Sequence, residues 1–398
     1  MATDVGPEMT RARSDRRPER RVAIIGGGMI AQVHRRAALL AGAQVVGVLG
    51  RNAAESTVIA TNWGVERAFT DLDQLLNEDV DVVHVCTPNA THPSYALAVL
   101  EAGKNVICEK PIALDTETAE KMAAAARAAA MDGRIAAVPF VYRYHPVVRE
   151  IRARRLAGEL GEIFAIHGSY LQDWMLPPDV GSWRLDPACS GRSRAFGDIG
   201  SHWFDLVEWI SGERIGRITA QTSIAIAERA AGSEPTFAAG SASGSQQPAA
   251  PRAPVTTEDI AMVLGRTVSG VPVAATISQV AAGRKNRLWF ELDGSEHSAV
   301  FDQENPESAW FGALGSNEVF VRGPGVGSPE QRRLSQLPAG HPQGYAQCFE
   351  AFVADAYAAS DGAQVDGLPS FEDGLRAARI TDAVLQSAAA DRWVGVES

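Results

Sequence analysis

An α/β fold that opens with a doubly wound parallel sheet, followed by an α+β domain built on a large, open and mainly antiparallel sheet, is what this sequence predicts. Three observations carry that expectation. Short β-branched runs alternate with helix-spaced stretches up to about residue 141; a glycine turn joins the first such run to the first helix; and beyond residue 142 strand-like runs gather in a group that ends in two helices.

Length and composition set the frame. A chain of 398 residues exceeds one ordinary core, and 45% hydrophobic with 21% charged residues is the make-up of a folded globular protein, so two domains are expected. A net charge of -11 repels phosphate backbones and anionic lipid, which argues against nucleic acid as a partner. No window approaches a membrane span in length, so no membrane association is expected. Cys86, Cys108, Cys189 and Cys348 are widely spaced and read as reduced core thiols, which places the chain in the cytoplasm. None has the close second cysteine of a zinc site, and no metal is expected. Residues 1–20 are Arg-rich but carry Asp4, Glu8, Asp15 and Glu19, and they read as a disordered tail. The pair Arg16-Arg17 is followed by only four apolar residues and then glycines, so it is not read as an export signal.

The first domain is expected at 21–141. Its strands fall near 22–25, 45–49, 80–85, 106–108 and 135–138, and its helices start near Met29, Ala53, Thr91 and Asp115. The turn Gly26-Gly27-Gly28-Met29-Ile30-Ala31 fits G-x-G-x-x-A. Gly26 permits the tight turn, Gly28 lets the backbone approach a pyrophosphate, and the small Ala31 allows close packing of helix on strand, with the helix N-terminus facing the phosphates. Three glycines after an apolar run also make an ordinary turn, but a strand before and a helix after favour a Rossmann dinucleotide site. An NAD-selective site would carry an acidic residue at the end of the second strand; Gly50-Arg51 stands there instead, so the guanidinium favours NADP over NAD, unless Arg51 stacks on the adenine or points to solvent.

Two further loops leave the carboxyl ends of strands, where ligands of such sheets lie. Thr87, Pro88 and Asn89 would meet the nicotinamide riboside, with His92 beside them, and Cys108-Glu109-Lys110-Pro111 brings Glu109, Lys110 and Pro111 to the same edge. These loops and the glycine turn, together with a D-x-x-x-H segment at Asp198-Ile199-Gly200-Ser201-His202, resemble the Gfo/Idh/MocA family, named for glucose-fructose oxidoreductase, inositol dehydrogenase and a rhizopine catabolism protein. The resemblance runs from Arg21 to about Val396. It implies that Lys110 touches both the cofactor and a substrate hydroxyl.

The second domain is expected at 142–398. Ile199, Trp203, Leu206, Val207 and Ile210 share one face of a helix over 196–212, with Asp198, His202 and Asp205 beside it. Taken alone, Asp198 could cap that helix and His202 could be a polar flank of the core, or the pair could chelate a metal for which no third ligand is at hand. The family resemblance implies instead that His202 is a general base and Asp198 binds a substrate hydroxyl. By the same resemblance Trp183, Arg184 and Arg143 are candidate specificity residues. Family members often have a glycine run before the D-x-x-x-H helix; here Arg192 and Arg194 stand there, either favouring an anionic substrate or merely solvated. A strand over 162–174 puts Tyr170, Gln172 and Trp174 on one face, with packing the safer reading for Tyr170. Residues 230–255, rich in Ala, Ser, Gly, Pro and Gln, read as a flexible insertion between strands at 218–227 and 260–264; more strands are expected at 273–278 and 288–292, and helices at 344–359 and 371–389. An open sheet of this size often pairs with another subunit, giving a dimer or tetramer.

The resulting functional expectation is oxidation of a secondary ring hydroxyl on a small polyhydroxylated substrate, with NADP or NAD as acceptor. Two alternatives share the fold: glycoside cleavage by transient oxidation and elimination, and a noncatalytic nucleotide-binding redox sensor.

Overall fold

The computed structural model describes residues 20–230 and 251–397. The chain begins with β1 (Arg21–Ile25), α1 (Met29–Leu40), β2 (Gln44–Leu49), α2 (Ala53–Trp63), β3 (Arg67–Phe69), α3 (Leu72–Leu76), β4 (Val82–Val85), α4 (His92–Glu101), β5 (Asn105–Cys108), α5 (Thr116–Met131) and β6 (Ala136–Ala137). The six strands form a parallel sheet in the order β3-β2-β1-β4-β5-β6, which reverses direction beside β1. That reversal opens the crevice in which such folds bind ligands. Strands β4 and β5 are buried along their whole length because helices cover both faces of the sheet. Helices α2, α3 and α5 begin where Asn52, Asp71 and Asp115 accept the backbone N–H of Glu55, Gln74 and Thr118. The three-residue β3 is too short to leave a periodic signal, and only 136–137 of the expected 135–138 pair in the sheet.

The second part runs through α6 (Pro146–Leu156), β7 (Ile163–Leu171), α7 (Pro187–Ser190), α8 (Ser201–Ser211), β8 (Ile215–Ser223), β9 (Glu228–Ala230), β10 (Arg252–Pro254), β11 (Ile260–Thr267), β12 (Pro272–Ser278), β13 (Arg287–Gly294), β14 (Ser298–Asp302), β15 (Ser308–Ala313) and β16 (Ser316–Val321). It closes with α9 (Pro329–Leu334), α10 (Tyr345–Ser360), α11 (Phe371–Ala390) and β17 (Val394–Gly395). Nine of its strands make one sheet, ordered β16-β15-β14-β13-β7-β12-β11-β8-β17, antiparallel except between β7 and β12. Helix α8 packs on one face and buries Trp203, Phe204, Leu206, Val207 and Ile210. The Trp203 indole donates to the Trp289 carbonyl at 2.9 Å. A Cβ at position 168 would lie 2.2 Å from that carbonyl oxygen, so Gly168 makes room for the bond.

Two expectations are corrected here. Ala230 and residues 252–254, assigned to a flexible insertion, form strands: β9 and β10 pair antiparallel, Ala230 opposite Arg252 and Glu228 opposite Pro254. Their small and turn-forming residues hid the pairing from a reading by composition. The rest of that expectation, residues 231–250, and residues 1–19 of the expected tail lie outside the described residues. The cores also do not divide where the sequence suggests. On one face of the parallel sheet, Phe349, Phe352, Val353 and Tyr357 of α10 pack with Val22, Ile24, Ala37 and Ala38; on the other, Phe371 and Leu375 of α11 join Val106, Ala119 and Met122. The last long helices therefore wrap the first sheet.

Candidate active site

The turn after β1 is built by the absence of side chains. Gly26 has φ +110°, and a Cβ there would lie 2.5 Å from the Cys86 carbonyl oxygen. A Cβ on Gly27 would strike the Ile59 side chain of α2, whereas one on Gly28 would meet nothing within 4 Å. Gly28 thus borders open space at the start of α1, whose first turn carries no acidic residue and no side-chain cap. Its N-terminal N–H groups are available to an anion, and the residues present fit a dinucleotide pyrophosphate. Ala31 is fully buried, Ile30 partly so, and Met29 half exposed at 49%.

At the end of β2, Gly50 donates to Ser56 Oγ at 2.8 Å, and a Cβ on it would crowd the Ser56 N–H. Arg51 is largely exposed and paired with Glu55: its backbone N–H and its Nε donate to Glu55 Oε2 at 2.7 and 2.9 Å. The sequence pattern placed no carboxylate here, because Glu55 lies past the strand end, in the first turn of α2. The Arg51 bond holds the Glu55 carboxyl below its ordinary range, against its slight burial.

The two strand-end loops are tied together. Asn89 Nδ2 donates to the Ser190 carbonyl at 3.1 Å, joining the loop after β4 to α7, and Thr91 Oγ1 donates to the Pro88 carbonyl at 2.8 Å and lies 2.7 Å from Thr87 Oγ1. His92, expected beside the cofactor, is fully buried; its two ring nitrogens face the Pro111 carbonyl at 2.7 Å and the Thr87 carbonyl at 2.8 Å. It clamps one loop to the other and has no ring atom left for a dinucleotide. The Lys110-Pro111 peptide is cis.

Lys110 reaches across the cleft. Its Nζ donates to the Asp198 carbonyl at 2.7 Å and to Asp198 Oδ1 at 2.8 Å. Asp198 Oδ2 accepts from Gln279 Nε2 at 2.9 Å and lies 3.4 Å from Arg184 Nε. Burial alone would raise the Asp198 carboxyl, but the charges of Lys110 and Arg184 and the Lys110 bond hold it well below the usual range. Asp198 sits in a π-helical turn, Phe196–Gly200, that precedes α8, rather than in the regular helix expected from 196. It does not cap a helix. His202 follows in the first turn of α8, buried; its Nδ1 has no hydrogen-bond partner among the described residues. Burial and the Lys110 charge push its pKa well down, with Asp198 opposing.

Two rings to which sequence reasoning gave no role pack against His202. Tyr142 and Phe140 present ring edges to it at centroid distances of 4.9 and 5.6 Å. Tyr142 and Tyr170 share a hydroxyl–hydroxyl bond of 2.5 Å, and Asn286 Oδ1 accepts from Tyr170 and from Gln172 at 2.8 Å each. Tyr170 therefore does more than pack. Trp174, past the end of β7, donates to Gln172 Oε1 at 2.7 Å. Trp183, half-buried, carries the Arg184 guanidinium 4.6 Å above its ring. Only the strand phase near Tyr170 hinted at this wall; Gln279 just after β12 and Asn286 just before β13 have no motif around them.

Two arginines depart from expectation, and a third does not. Arg143 is buried and binds Asp205 through two nitrogens and Asp373 through one, so its charge is taken up inside the protein and not at the Asp198 cluster. Asp205, expected beside His202, is its partner. Arg194 is neither solvated nor free for an anion: it pairs with Asp259, which also binds Arg229, and donates to Gln279 Oε1 at 3.0 Å. That bond leaves the Gln279 amide nitrogen to face Asp198. Arg192 is exposed and pairs with Asp382. Among the cysteines, three are buried thiols and Cys189 is partly exposed.

Residues 20–132 match the model of an oxidoreductase family with an NAD-binding Rossmann fold, and residues 148–300 match a Gfo/Idh/MocA C-terminal domain. A levoglucosan dehydrogenase from Pseudarthrobacter phenanthrenivorans is 34% identical over 347 residues, covering 85% of this chain and 85% of that one. A solved levoglucosan dehydrogenase complex with NADH and levoglucosan superposes with a TM-score of 0.84 at 28% identity, over 96% of this chain and 100% of the other. The complex of an inositol dehydrogenase homolog from Azotobacter vinelandii with NADH and myo-inositol does so at 0.79 and 27%, over 95% and 97%. With both domains matched and a relative aligned along most of its length, the chain belongs to the Gfo/Idh/MocA family of oxidoreductases.

Proposed function

We propose that this protein is an NAD(P)-dependent dehydrogenase that oxidises a secondary hydroxyl on a polyhydroxylated ring: a sugar, a glycoside or an inositol. The observation that carries the reading is His202, a buried histidine kept neutral, with Nδ1 unpartnered, beside an ammonium and a carboxylate from opposite sides of one cleft. The turn from Gly26 to Ala31, Gly50, and Thr87 to Asn89 would hold the dinucleotide, which when bound supplies the hydride acceptor. His202 takes the hydroxyl proton, as a neutral base can at physiological pH. Lys110 hydrogen-bonds the same oxygen and stabilises the negative charge that develops on it. Asp198, held ionised with donors on both oxygens, receives a neighbouring ring hydroxyl on its remaining lone pairs. Trp183 and Arg184 border the ring. The levoglucosan and myo-inositol seen in structures of the relatives support the substrate class.

NAD is the proposed working cofactor. The Arg51 guanidinium that would favour a 2′-phosphate is bound by Glu55, whose carboxylate opposes that phosphate. A homo-oligomer through the nine-stranded sheet is proposed because its outer face leaves Met262 and Leu264 each 56% exposed and Val319 63% exposed. No described helix is long and apolar enough to cross a membrane, and the four free thiols suit a reducing cytoplasm.

The test is reduced-cofactor absorbance with NAD and NADP against aldoses, inositols and anhydrosugars, repeated with Lys110→Ala and His202→Ala. Turnover abolished by both supports the reading. Glycoside cleavage without net reduced cofactor would replace it by oxidation and elimination, and tight cofactor binding with neither activity by a sensor.

A further inference from the structure

A row of buried polar groups leads away from Lys110 into the parallel sheet. Glu109 Oε2 accepts the Lys110 backbone N–H at 3.1 Å, and Glu109 Oε1 faces His34 Nε2 at 3.0 Å. His34 Nδ1 meets His84 Nδ1 at 2.8 Å, and His84 Nε2 meets the Tyr357 hydroxyl at 2.9 Å. The groups come from α1, β4, the end of β5 and α10, with His34 and His84 fully buried, Tyr357 2% exposed and Glu109 7% exposed.

The chemistry of the row is constrained. The His34 bond and the Lys110 charge outweigh burial and hold the Glu109 carboxyl down, so it is an anion that only accepts. His34 Nε2 therefore donates to it. Burial keeps His84 neutral, with one ring proton. Whichever nitrogen carries it, the Tyr357 hydroxyl closes the row, because a hydroxyl both donates and accepts. All four groups are satisfied with no water and no break.

We propose that His34, His84 and Tyr357 are positioning residues for the dehydrogenase site: they form a hydrogen-bonded chain that holds the Glu109 carboxylate and, through it, the main chain from which Lys110 reaches Asp198. The chain makes Tyr357 of α10, in the last sixty residues of the sequence, part of the support for Lys110. This inference rests on the proposed function only where Lys110 is given a role. The chain itself stands on geometry.

The first variant is Tyr357→Phe, which removes one hydroxyl and keeps the ring. Expected are an unchanged cofactor Kd, a melting temperature within a few degrees of wild type, and a kcat lowered about three- to tenfold at unchanged KM, as for loss of one buried hydrogen bond. His34→Gln, whose amide can still donate to Glu109, should keep more of kcat than His34→Leu. Independently of turnover, 15N spectra of the histidine rings in the protein without cofactor should show His34 resonances moved by Tyr357→Phe, although Tyr357 bonds only to His84. Unmoved His34 resonances, or wild-type kcat in both Tyr357→Phe and His34→Leu, would overturn the proposal. So would a kcat loss matched by weakened cofactor binding and a large drop in melting temperature, which marks a merely structural network. If the wild type turns over no polyol, the functional reading fails while the ring spectra still decide the chain.

Discussion

The two sides of the cleft are made of different material. The side proposed for the dinucleotide is main chain: Gly26, Gly27, Gly28 and Gly50 lie within one βαβ unit, and at Gly26, Gly27 and Gly50 a neighbouring strand-end loop or helix leaves no room for a Cβ, whereas Gly28 borders open space. The side proposed for the substrate is made of side chains: Tyr142, Tyr170, Asp198, His202, Gln279 and Asn286 come from segments up to 144 residues apart. A surface of backbone leaves a contiguous signature, whereas a surface of side chains is assembled by topology. The two should therefore fail in opposite ways when altered.

The largest effect is expected on the side-chain face. Replacing His202 by Ala should lower kcat by about 10²–10⁴, the range for loss of a general base, while cofactor Kd stays within about twofold. Stopped-flow cofactor binding beside steady-state turnover separates the two quantities. A comparable loss of cofactor affinity would place His202 on the dinucleotide side and erase the contrast.

The glycine side should show the reverse, and its two outer glycines should differ from each other. Gly28→Ala adds a methyl to open space, so thermal stability should hold while dinucleotide binding weakens by about tenfold or more. Gly26→Ala drives a Cβ into the Cys86 carbonyl at positive φ, so folding itself should suffer, by more than about 1 kcal/mol. Calorimetry with and without NADH distinguishes the pair. Equal melting temperatures for the two variants would refute the assignment of open space to Gly28.

That asymmetry explains how much was legible in the sequence. Periodicity located β1, β2, β4, β5 and their helices within a few residues, since each is a local pattern flanked by turns, and the glycine turn with the Lys110 and Asp198-His202 segments stood out as motifs. The pairing of β9 with β10 was hidden because both strands are three residues long and one is Arg-Ala-Pro. Arg143 and His92 were misplaced because nothing local reports that a charge or a ring will be engulfed by Asp205 and Asp373, or by two carbonyls. Gln279 was invisible for the same reason: its meaning depends on Arg194 at one end and Asp198 at the other.

Acid should act on both sides at once, more gently. Burial lowers the pKa of His84, His92 and His202, and takes His145 down to about 3, with neither His145 ring nitrogen bonded among the described residues. Each such histidine takes up a proton more readily unfolded than folded. Stability is thus complete above the ordinary value of about 6.5 and is lost as pH falls below it, by about 1.4 kcal/mol per pH unit for each histidine still neutral in the fold. Melting temperature should fall between roughly pH 6.5 and 5, and His145→Phe should flatten that fall. The acid limb of kcat/KM should lie below the ordinary histidine value, because His202 keeps its lone pair there. A melting temperature independent of pH across that window would mean that these histidines are solvated.

The smallest effect concerns the exposed side-chain pair at the end of β2. Arg51 and Glu55 form an exposed pair, so their mutual attraction is screened and neither is fixed as the glycines are. Glu55→Gln removes a negative charge and releases the guanidinium, both of which favour a 2′-phosphate. The ratio of kcat/KM for NADP over NAD should rise by about three- to tenfold, and it should rise less at high salt. Arg51→Ala should lower the same ratio, since it leaves the carboxylate unopposed. Measuring both dinucleotides at two ionic strengths gives the sign directly. A ratio insensitive to either substitution would mean that the ribose is recognised by main chain as well, extending the backbone character of that side to its whole length.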